Sequence, residues 1–459
     1  MSDLLIINPG QGDNYKGYSE ARAYEPPLWA GMIANFVRNY GYSVDILDAN
    51  IFGFDTSEYV NNLMINYENP KLIAVVVYGH NPTASTTVMP EAGRICREIK
   101  KIHPGQKIIM IGGHVAALPE RTLEEESVDY VSCGEGLYRI LAIFHGSTDP
   151  LSKYEPPVWD LNKDITGIAW DLLPMAKYRA HNWHCWGRER QPYASIYTSL
   201  GCPYSCEYCP IHSPFQNGPK YRVWNPEYVI RQIDILYQTF GVKNIKIADE
   251  LFVMSSERVN QICDMIISLN YDLNLWAYAR IDSISEALLE KLKQAGFNWL
   301  GIGIDKFYEK NSLKKQDVYR AVNLIQDNGI KIGGNFIFGF PDDTIKTMQE
   351  TLEFAIDLNC EFVNFNCLTA YPGSMLYQKT NPKDFPETWD GYAQLSYKFK
   401  PLPTKYLSST EVLQFRDKAF ETYVNNPKYL EMIENKFGKE VKKEVQGLRS
   451  PKRRITNIL

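Results

Sequence analysis

A chain of 459 residues, 44% of them hydrophobic, is long enough for two or three domains, each with its own core. A net charge of −5 excludes a broad sequence-independent nucleic-acid surface, which needs an excess of lysine and arginine. Nine cysteines, odd in number and mostly scattered, do not make a secreted disulfide framework and place the chain in a reducing cytoplasm, where clustered thiolates serve metal or redox chemistry.

The opening "MSDLLIINPG" lacks the basic segment and long apolar run of a signal peptide, and no stretch reaches the length of a membrane span. From there to about Phe144, short apolar runs alternate with amphipathic ones. "DLLIINP", "SVDILDA", "LIAVVVYG", "KIIMIGGH" and "DYVSCGEG" predict strands, with helical patterns such as Trp29 to Tyr40 and Val88 to Ile102 between them. Such alternation predicts a parallel sheet covered on both faces, a flavodoxin-like or Rossmann-like module that binds ligands at the carboxyl ends of its strands. Asn8, Pro9, His80, Asn81, Gly112, Gly113, His114, Gly134, Glu135 and Gly136 fall there. Small, glycine-rich strand ends let a planar ligand or a phosphate approach the backbone. Taken alone, the same glycines are also what ordinary turns require.

Gly146 to Gln191 is rich in proline and tryptophan without a sustained period, and reads as an irregular linker that packs on a neighbour. After Pro192 the alternation resumes. Strands are expected at "YASIYTS", "NIKIAD", "LNLWAYA", "WLGIGID", "KIGGNFIFG" and "EFVNFNCL", with helices at Pro226 to Phe240, Ser255 to Leu269, Ser285 to Ala295, Gln316 to Asn328 and Asp343 to Leu358. Six βα units make a barrel or partial barrel whose chemistry sits on the loops after the strands. The remainder, from about Tyr371, mixes loop with a helical tail placed to cap the barrel mouth; its basic end, Lys439 to Arg454, reads as a solvated helix end and a frayed terminus.

Cys202, Cys206 and Cys209 follow the first of these barrel strands with the spacing C-x3-C-x2-C. Zinc prefers four ligands in C-x2-C pairs, whereas three thiolates on a four-iron cluster leave one iron open to a substrate-like cofactor. The competing reading is a structural zinc knot with Cys185 or His212 as fourth ligand. Asp249 and Glu250 after the second barrel strand, Arg280 after the third and Asp305 after the fourth either touch cofactor or substrate or only close the rim. Cys96, Cys263, Cys360 and Cys367 fit buried small hydrophobes, and "HNWHCWG", with His181, His184 and Cys185, fits an interdomain packing segment.

"CPYSCEYC", with the aromatic Tyr208 before the last cysteine, resembles the radical S-adenosylmethionine (SAM) signature. "IADELF", "LLEKLKQAGFNWLGIGID", "IKIGGNFIFGFPDDT" and "NFNCLTAYPGSMLY" follow the order of that superfamily's cobalamin-binding branch, while "EPPLWAGMIANFVRNYGYSVDILDA", "IIMIGGHVAALPE" and "VSCGEG" resemble its B12-binding module and "WDLLPMAKY" its linker. The resemblance implies an α/β chain with a Rossmann-like cobalamin-binding domain (1–145), a linker (146–191), a partial (β/α)6 radical SAM barrel (192–370) and a C-terminal loop and helical region (371–459). It implies a 4Fe-4S cluster on Cys202, Cys206 and Cys209. SAM contacts would come from Tyr208, Asp249, Glu250, Arg280, Asp305 and Asn335, and Thr83 would join the strand-end residues as cobalamin contacts. Two positions depart from the family pattern. The chain has no D-x-H-x-x-G motif to supply a histidine to cobalt, and "GIDK" stands where relatives often carry "GIES", leaving Asp305 one methylene shorter.

The implied activity is methylation of an unactivated carbon: a 5′-deoxyadenosyl radical takes a hydrogen atom from substrate and methylcobalamin gives up its methyl group. Cyclisation, ring contraction or oxidation on the same cofactors is the alternative within enzymes, and a non-catalytic iron–sulfur or B12 sensor the alternative outside them. The expected partners are an electron donor such as flavodoxin or ferredoxin and a small-molecule or peptide substrate, in a monomer or weak homodimer.

Overall fold

The computed structural model describes residues 2–11, 21–52, 70–79, 81–304 and 314–448. His80 and Asp305 lie outside the described residues. Among those described, no helix is long and apolar enough to cross a membrane.

The first sheet holds β1 (Leu4–Asn8), β2 (Val44–Asp48), β3 (Leu72–Val76), β4 (Ile108–Ile111) and β5 (Tyr130–Val131), all parallel, in the order β2-β1-β3-β4-β5. Its central strands are apolar throughout because both faces are covered. Leu4, Ile6, Ala74, Val76, Ile109 and Ile111 feed one core, while the residues between them, Leu5, Ile7, Ile73, Val75, Ile108 and Met110, feed the other. From β1 the chain steps outward to β2 and then crosses to β3 on the other side. The reversal opens a crevice at the carboxyl ends of β1 and β3, where ligands bind in open α/β sheets.

The second sheet is also all parallel, in the order β13-β12-β11-β10-β9-β6, from β6 (Tyr193–Ile196), β9 (Asn244–Ile247), β10 (Asn274–Ala279), β11 (Phe297–Gly303), β12 (Lys331–Phe338) and β13 (Phe362–Cys367). β6 and β13 do not pair with each other, so the barrel is partial. Helices alternate with these strands at the expected places. Pro226–Phe240, for example, starts on Asn225, whose side chain accepts from Tyr228 N, and stops at Gly241 with φ +65.

One element is absent from the sequence reading. "YASIYTSLG" is not a single strand: after β6 the chain turns into β7 (Ser199–Gly201), which pairs antiparallel with β8 (Tyr221–Val223). This hairpin carries the cysteine loop. Gly201, at φ +81, is needed where the two strands meet, since a Cβ there would sit 2.0 Å from Lys220 O.

The linker plugs the end of the barrel where the strands begin. His184 Nε2 donates to Asn274 O (3.1 Å), Cys185 Sγ donates to Asn244 Oδ1 (3.3 Å), and the Trp183 ring meets Trp276 and Trp299 edge-on at 5.2 and 5.0 Å. The helical tail does not cap the barrel mouth as the sequence suggested. Helix Ser409–Val424 lies along β13 and helix Pro427–Phe437 follows, with Tyr423 and Tyr429 donating to Cys360 O (2.7 Å) and Glu361 O (3.0 Å) at the start of that strand. An open barrel leaves β13 as an unpaired edge, and the tail covers it.

Candidate active site

Cys202 N donates to Lys220 O (2.9 Å), Cys209 N to Cys206 O (3.1 Å), His212 Nε2 to Tyr204 O (2.9 Å) and Leu376 N to Glu207 O (2.8 Å), so the cysteine loop is pinned from within and from the C-terminal region. Cys206 is exposed and the other two cysteines are half-buried. Burial pushes the Cys209 thiol up to about 12, and the nearby Glu250, Cys206 and Cys202 add to the rise. A thiol so placed ionises when a cation arrives to bind it. Neither candidate for a fourth zinc ligand fits: Cys185 is at the opposite end of the barrel, against Asn244 and Asn274, and His212 bonds the loop backbone. Among the described residues no three His, Cys, Asp or Glu side chains close on a single ion. The donor set is one loop of three thiols, the number that suits a 4Fe-4S cluster with one iron left open.

Behind the loop stands Asp249. Its carboxylate, 1% exposed, accepts from Thr198 N (2.6 Å), Thr198 Oγ1 (2.6 Å), Ser199 N (3.1 Å) and Ser199 Oγ (2.7 Å), fixing the bend that launches β7. Asp249 therefore acts through the strand it holds. Glu250 differs. Burial pushes its carboxyl up to about 8, and its Oε2 is buried without a hydrogen-bond partner. It borders a cavity of about 30 Å³ together with Asn81, Gly113 and Tyr78, whose hydroxyl is also unpartnered. Arg280 pairs with Asp282 (2.9 and 2.7 Å) and lays its guanidinium 4.3 Å from the Tyr204 ring, bracing the cysteine loop from the side.

A much larger cavity, about 660 Å³, runs from the ends of the first sheet into the barrel. Asn81 and Thr83 line it from the N-terminal side, Tyr208 and Cys209 from the cysteine loop, and Asn335 from β12. Asn335 Nδ2 donates to Ile302 O and Gly333 O (both 3.3 Å) and its Oδ1 accepts from Asn364 Nδ2 (3.0 Å), which orients the amide across the barrel. Two lining residues escaped the sequence reading. Lys246, the third residue of β9, points inward to Glu25 from the N-terminal region at 3.3 Å from each carboxylate oxygen, both side chains at most 4% exposed. A lysine between Ile245 and Ile247 in an otherwise apolar strand was the available signal.

The strand-end residues of the first sheet divide into two groups. Asn81 Oδ1 accepts from Thr83 N (3.1 Å), Thr83 Oγ1 (2.7 Å) and Ala84 N (3.1 Å), forming the turn that faces the large cavity. Gly112 lets β4 pass β3, since a Cβ there would lie 2.4 Å from Val77 O, and Gly113 borders the small cavity. The others are engaged within the protein. Asn8 Nδ2 donates to Asp48 Oδ1 (2.7 Å), and Pro9 is buried beside it. His114 donates its N–H to Ser85 Oγ (2.8 Å), bonds Thr86 Oγ1 through Nδ1 (3.1 Å) and meets the Trp389 ring edge-on at 4.4 Å. Gly134 packs against Glu155, and Gly136, at φ +87, starts helix Leu137–Phe144. Glu135 is taken by Arg222 of β8 and by Val158 N (2.9 Å). The residues that face the large cavity from the first sheet, where a corrin ligand would fit, are thus Asn81 and Thr83, and the loop thiols with Tyr208 and Asn335 suit the cluster and SAM.

The sequence pattern of the B12 binding domain matches residues 18–143, and that of the Radical SAM superfamily matches residues 196–355. The chain is 27% identical to an uncharacterized methyltransferase of Pyrococcus horikoshii, over 92% of this chain and 93% of that protein. It is 25% identical to the anaerobic magnesium-protoporphyrin IX monomethyl ester cyclase of Rubrivivax gelatinosus, over 83% of this chain and 70% of that protein. Among solved structures it resembles the radical S-adenosylmethionine methyltransferase TsrM from Kitasatospora setae, with a TM-score of 0.63 and 18% identity over 82% of this chain and 77% of that one. With both domain patterns in this order around one shared cavity, the chain belongs to the cobalamin-binding radical SAM enzymes.

Proposed function

We propose that the protein is a cobalamin-dependent radical SAM C-methyltransferase. The observation that carries this reading is the single cavity of about 660 Å³ on which Asn81 and Thr83 of the cobalamin side, Tyr208 and Cys209 of the cluster loop and Asn335 of the barrel all converge. Cys202, Cys206 and Cys209 hold the cluster, Tyr208 and Asn335 contact SAM, and Asn81, Thr83, Gly112 and Gly113 border cobalamin. Bound together, these groups supply hydrogen-atom abstraction from an unactivated carbon and a methyl group to replace the hydrogen. The chain's own part is geometric: it brings both donors to one carbon and keeps bulk water from the barrel interior. Asp249 and Arg280 steady the cysteine loop, and Asn364 sets the orientation of the Asn335 amide. The reaction belongs in the cytoplasm, with a flavodoxin or ferredoxin as reductant.

The test is anaerobic reconstitution with iron, sulfide and hydroxocobalamin, followed by incubation with methyl-labelled SAM and candidate substrates. Formation of 5′-deoxyadenosine and S-adenosylhomocysteine, with label in the product, is expected. All three should vanish, together with bound iron, when Cys202, Cys206 and Cys209 are replaced by alanine. The likeness to a cyclase favours one second reading, oxidative ring formation on the same cofactors. It predicts 5′-deoxyadenosine and a product without label.

A further inference from the structure

Strand β13 ends the open barrel, and its outer edge runs along the large cavity, which Val363 and Phe365 help to line. Leu368 N donates to Phe338 O (2.8 Å), and in a parallel ladder successive residues turn their N–H and C=O to alternate sides. Phe362, Asn364 and Asn366 therefore bond β12, while Val363, Phe365 and Cys367 direct their backbone groups to the open edge. The C-terminal region answers some of these groups and not others. Gln394 accepts from Cys367 N (3.0 Å) and donates to Cys367 O (2.9 Å), and Arg416 Nη1 donates to Phe365 O (3.4 Å). Among the described residues nothing bonds Val363 N–H, Val363 C=O or Phe365 N–H. Neither residue is more than 4% exposed. Roughly nine in ten or more buried backbone groups find a partner within a folded protein, so a run of three left open beside a cavity marks a place where the partner comes from outside.

The order along the edge is donor, acceptor, donor, over about 6.6 Å. An extended polypeptide presents the complementary order at the same repeat and would add to β13 as a further strand in the gap that β6 leaves. A fused-ring or lipid body offers no such alternation. The charged side chains of this cavity do not set the choice, because the protein itself holds them. Arg22 donates to Tyr24 Oη (3.2 Å), Lys246 pairs with Glu25 (3.3 Å), and Arg416 is shared among Phe365 O, Gln394 O (2.9 Å) and Asp417 (2.9 Å). Recognition falls to the neutral edge. On the lumen face of the same strand Asn366 adds an amide that bonds nothing among the described residues.

We propose that the cavity takes its substrate as an extended polypeptide segment, bound by strand addition to the Val363–Phe365 edge of β13. The inference rests on the reading of the cavity as the active site and names its substrate class. The probe is a library of acetylated, amidated hexapeptides with every position varied, equilibrated with the full-length protein loaded with cluster and cobalamin; retained peptides are identified by mass spectrometry, resynthesised and titrated calorimetrically. N-methylation of the alternate amides that face the edge should weaken binding by at least about tenfold, and N-methylation of the amides between them by much less. Val363→Pro removes one edge N–H without touching the β12 ladder, whereas Val363→Ala loses packing and keeps the N–H. The proline variant should bind a retained peptide at least about tenfold more weakly than the alanine variant, with iron loaded in both. The proposal is overturned if the wild type retains no peptide, as hydration of the edge alone would give, if N-methylation shows no alternation, or if the two variants bind alike. Binding is read without turnover, so a wild type that retains peptides but forms no 5′-deoxyadenosine would sink the parent reading and not this one.

Discussion

Arg222 on β8 holds Glu135, just beyond β5, through hydrogen bonds of 2.8 and 3.0 Å, with neither side chain more than 5% exposed. The pair joins the end of the first sheet to the hairpin that carries the cysteines. Glu135 also takes Val158 N, so linker, sheet and hairpin meet at one carboxylate. Removing one partner leaves a buried charge uncompensated. Glu135→Gln or Arg222→Met should each lower unfolding free energy by about 3–5 kcal/mol, while Glu135→Leu/Arg222→Met should recover most of the loss. Urea denaturation followed by circular dichroism measures it, and full stability in either single variant would remove the clamp from the account.

Asp249 offers a second test of how the loop is set. Its four hydrogen bonds draw Thr198 and Ser199 together, and Arg258 reinforces them by donating to Thr198 O (2.8 Å) and Trp224 O (2.9 Å). Asp249→Ala strands two backbone N–H groups and two hydroxyls in a buried place, at a cost of about 2–4 kcal/mol. Iron bound after reconstitution should drop to below roughly half of wild type, because loosened ligands hold a cluster poorly. Wild-type iron content in this variant would mean that the loop needs no such brace.

These two interactions mark where the sequence stops being readable. Alternation of apolar runs and amphipathic helices gives both sheets, since parallel strands buried on both faces must look like "LIAVVV" and "KIIMI". The cysteine spacing marks the loop that the β7–β8 hairpin carries. Asp249 and Glu135 looked like ligand contacts because polar residues at strand ends carry no mark of whether they face a cavity or a neighbouring segment. Their partners, Ser199 and Arg222, lie 50 and 87 residues away in the chain, and no local pattern pairs them. The β7–β8 hairpin was hidden for the same reason: "SLG" and "YRV" are too short to show a period. Lys246 was readable in kind, as a lysine inside an apolar strand, but Glu25 was not readable as its partner.

Buried histidines and buried carboxyls pull stability in opposite directions as the pH drops from 7 to 5. Burial holds the imidazoles of His114 and His184 neutral, with their pKa values lowered to about 3. The unfolded chain protonates them near 6.5, so their contribution is complete above that value and is lost as pH falls toward 3. Each histidine forfeits about 2 kcal/mol by pH 5. Asp48 works in the opposite sense. Burial raises its carboxyl to about 6, which adds stability as pH falls through that value, about 1 kcal/mol by pH 5. Burial also raises Glu126 to about 7 and Glu250 to about 8, in the same sense as Asp48, so over this range the carboxyls outweigh the histidines. Measured against wild type at pH 7, 6 and 5, the urea midpoint of His114→Gln should rise as pH falls and that of Asp48→Asn should drop. Midpoints that move alike in all three proteins would contradict the burial of these groups.

Two barrel glycines separate space needed for packing from space left for ligands. At Gly301 a Cβ would fall 2.7 Å from Cδ1 of the Tyr278 ring, which the surrounding strands hold in place. Gly301→Ala should therefore push that ring aside and cost about 1–3 kcal/mol. Gly333 pairs with Gly301 in the register of β11 and β12 and shares its face with Asn335 and Ile337, which line the large cavity. A Cβ at Gly333 meets nothing within 4 Å. Gly333→Leu should leave stability within about 1 kcal/mol of wild type, because strand positions favour a side chain over glycine and no neighbour is displaced. Iron should load normally on the cysteine loop, whose backbone hydrogen bonds do not involve Gly333. The added side chain would nonetheless occupy the volume in which SAM and substrate meet, and 5′-deoxyadenosine formation should fall by at least about tenfold. If the leucine variant turns over like wild type, the open space beside Gly333 is not the path along which the two reactants meet, and the active cavity must be drawn elsewhere in the barrel.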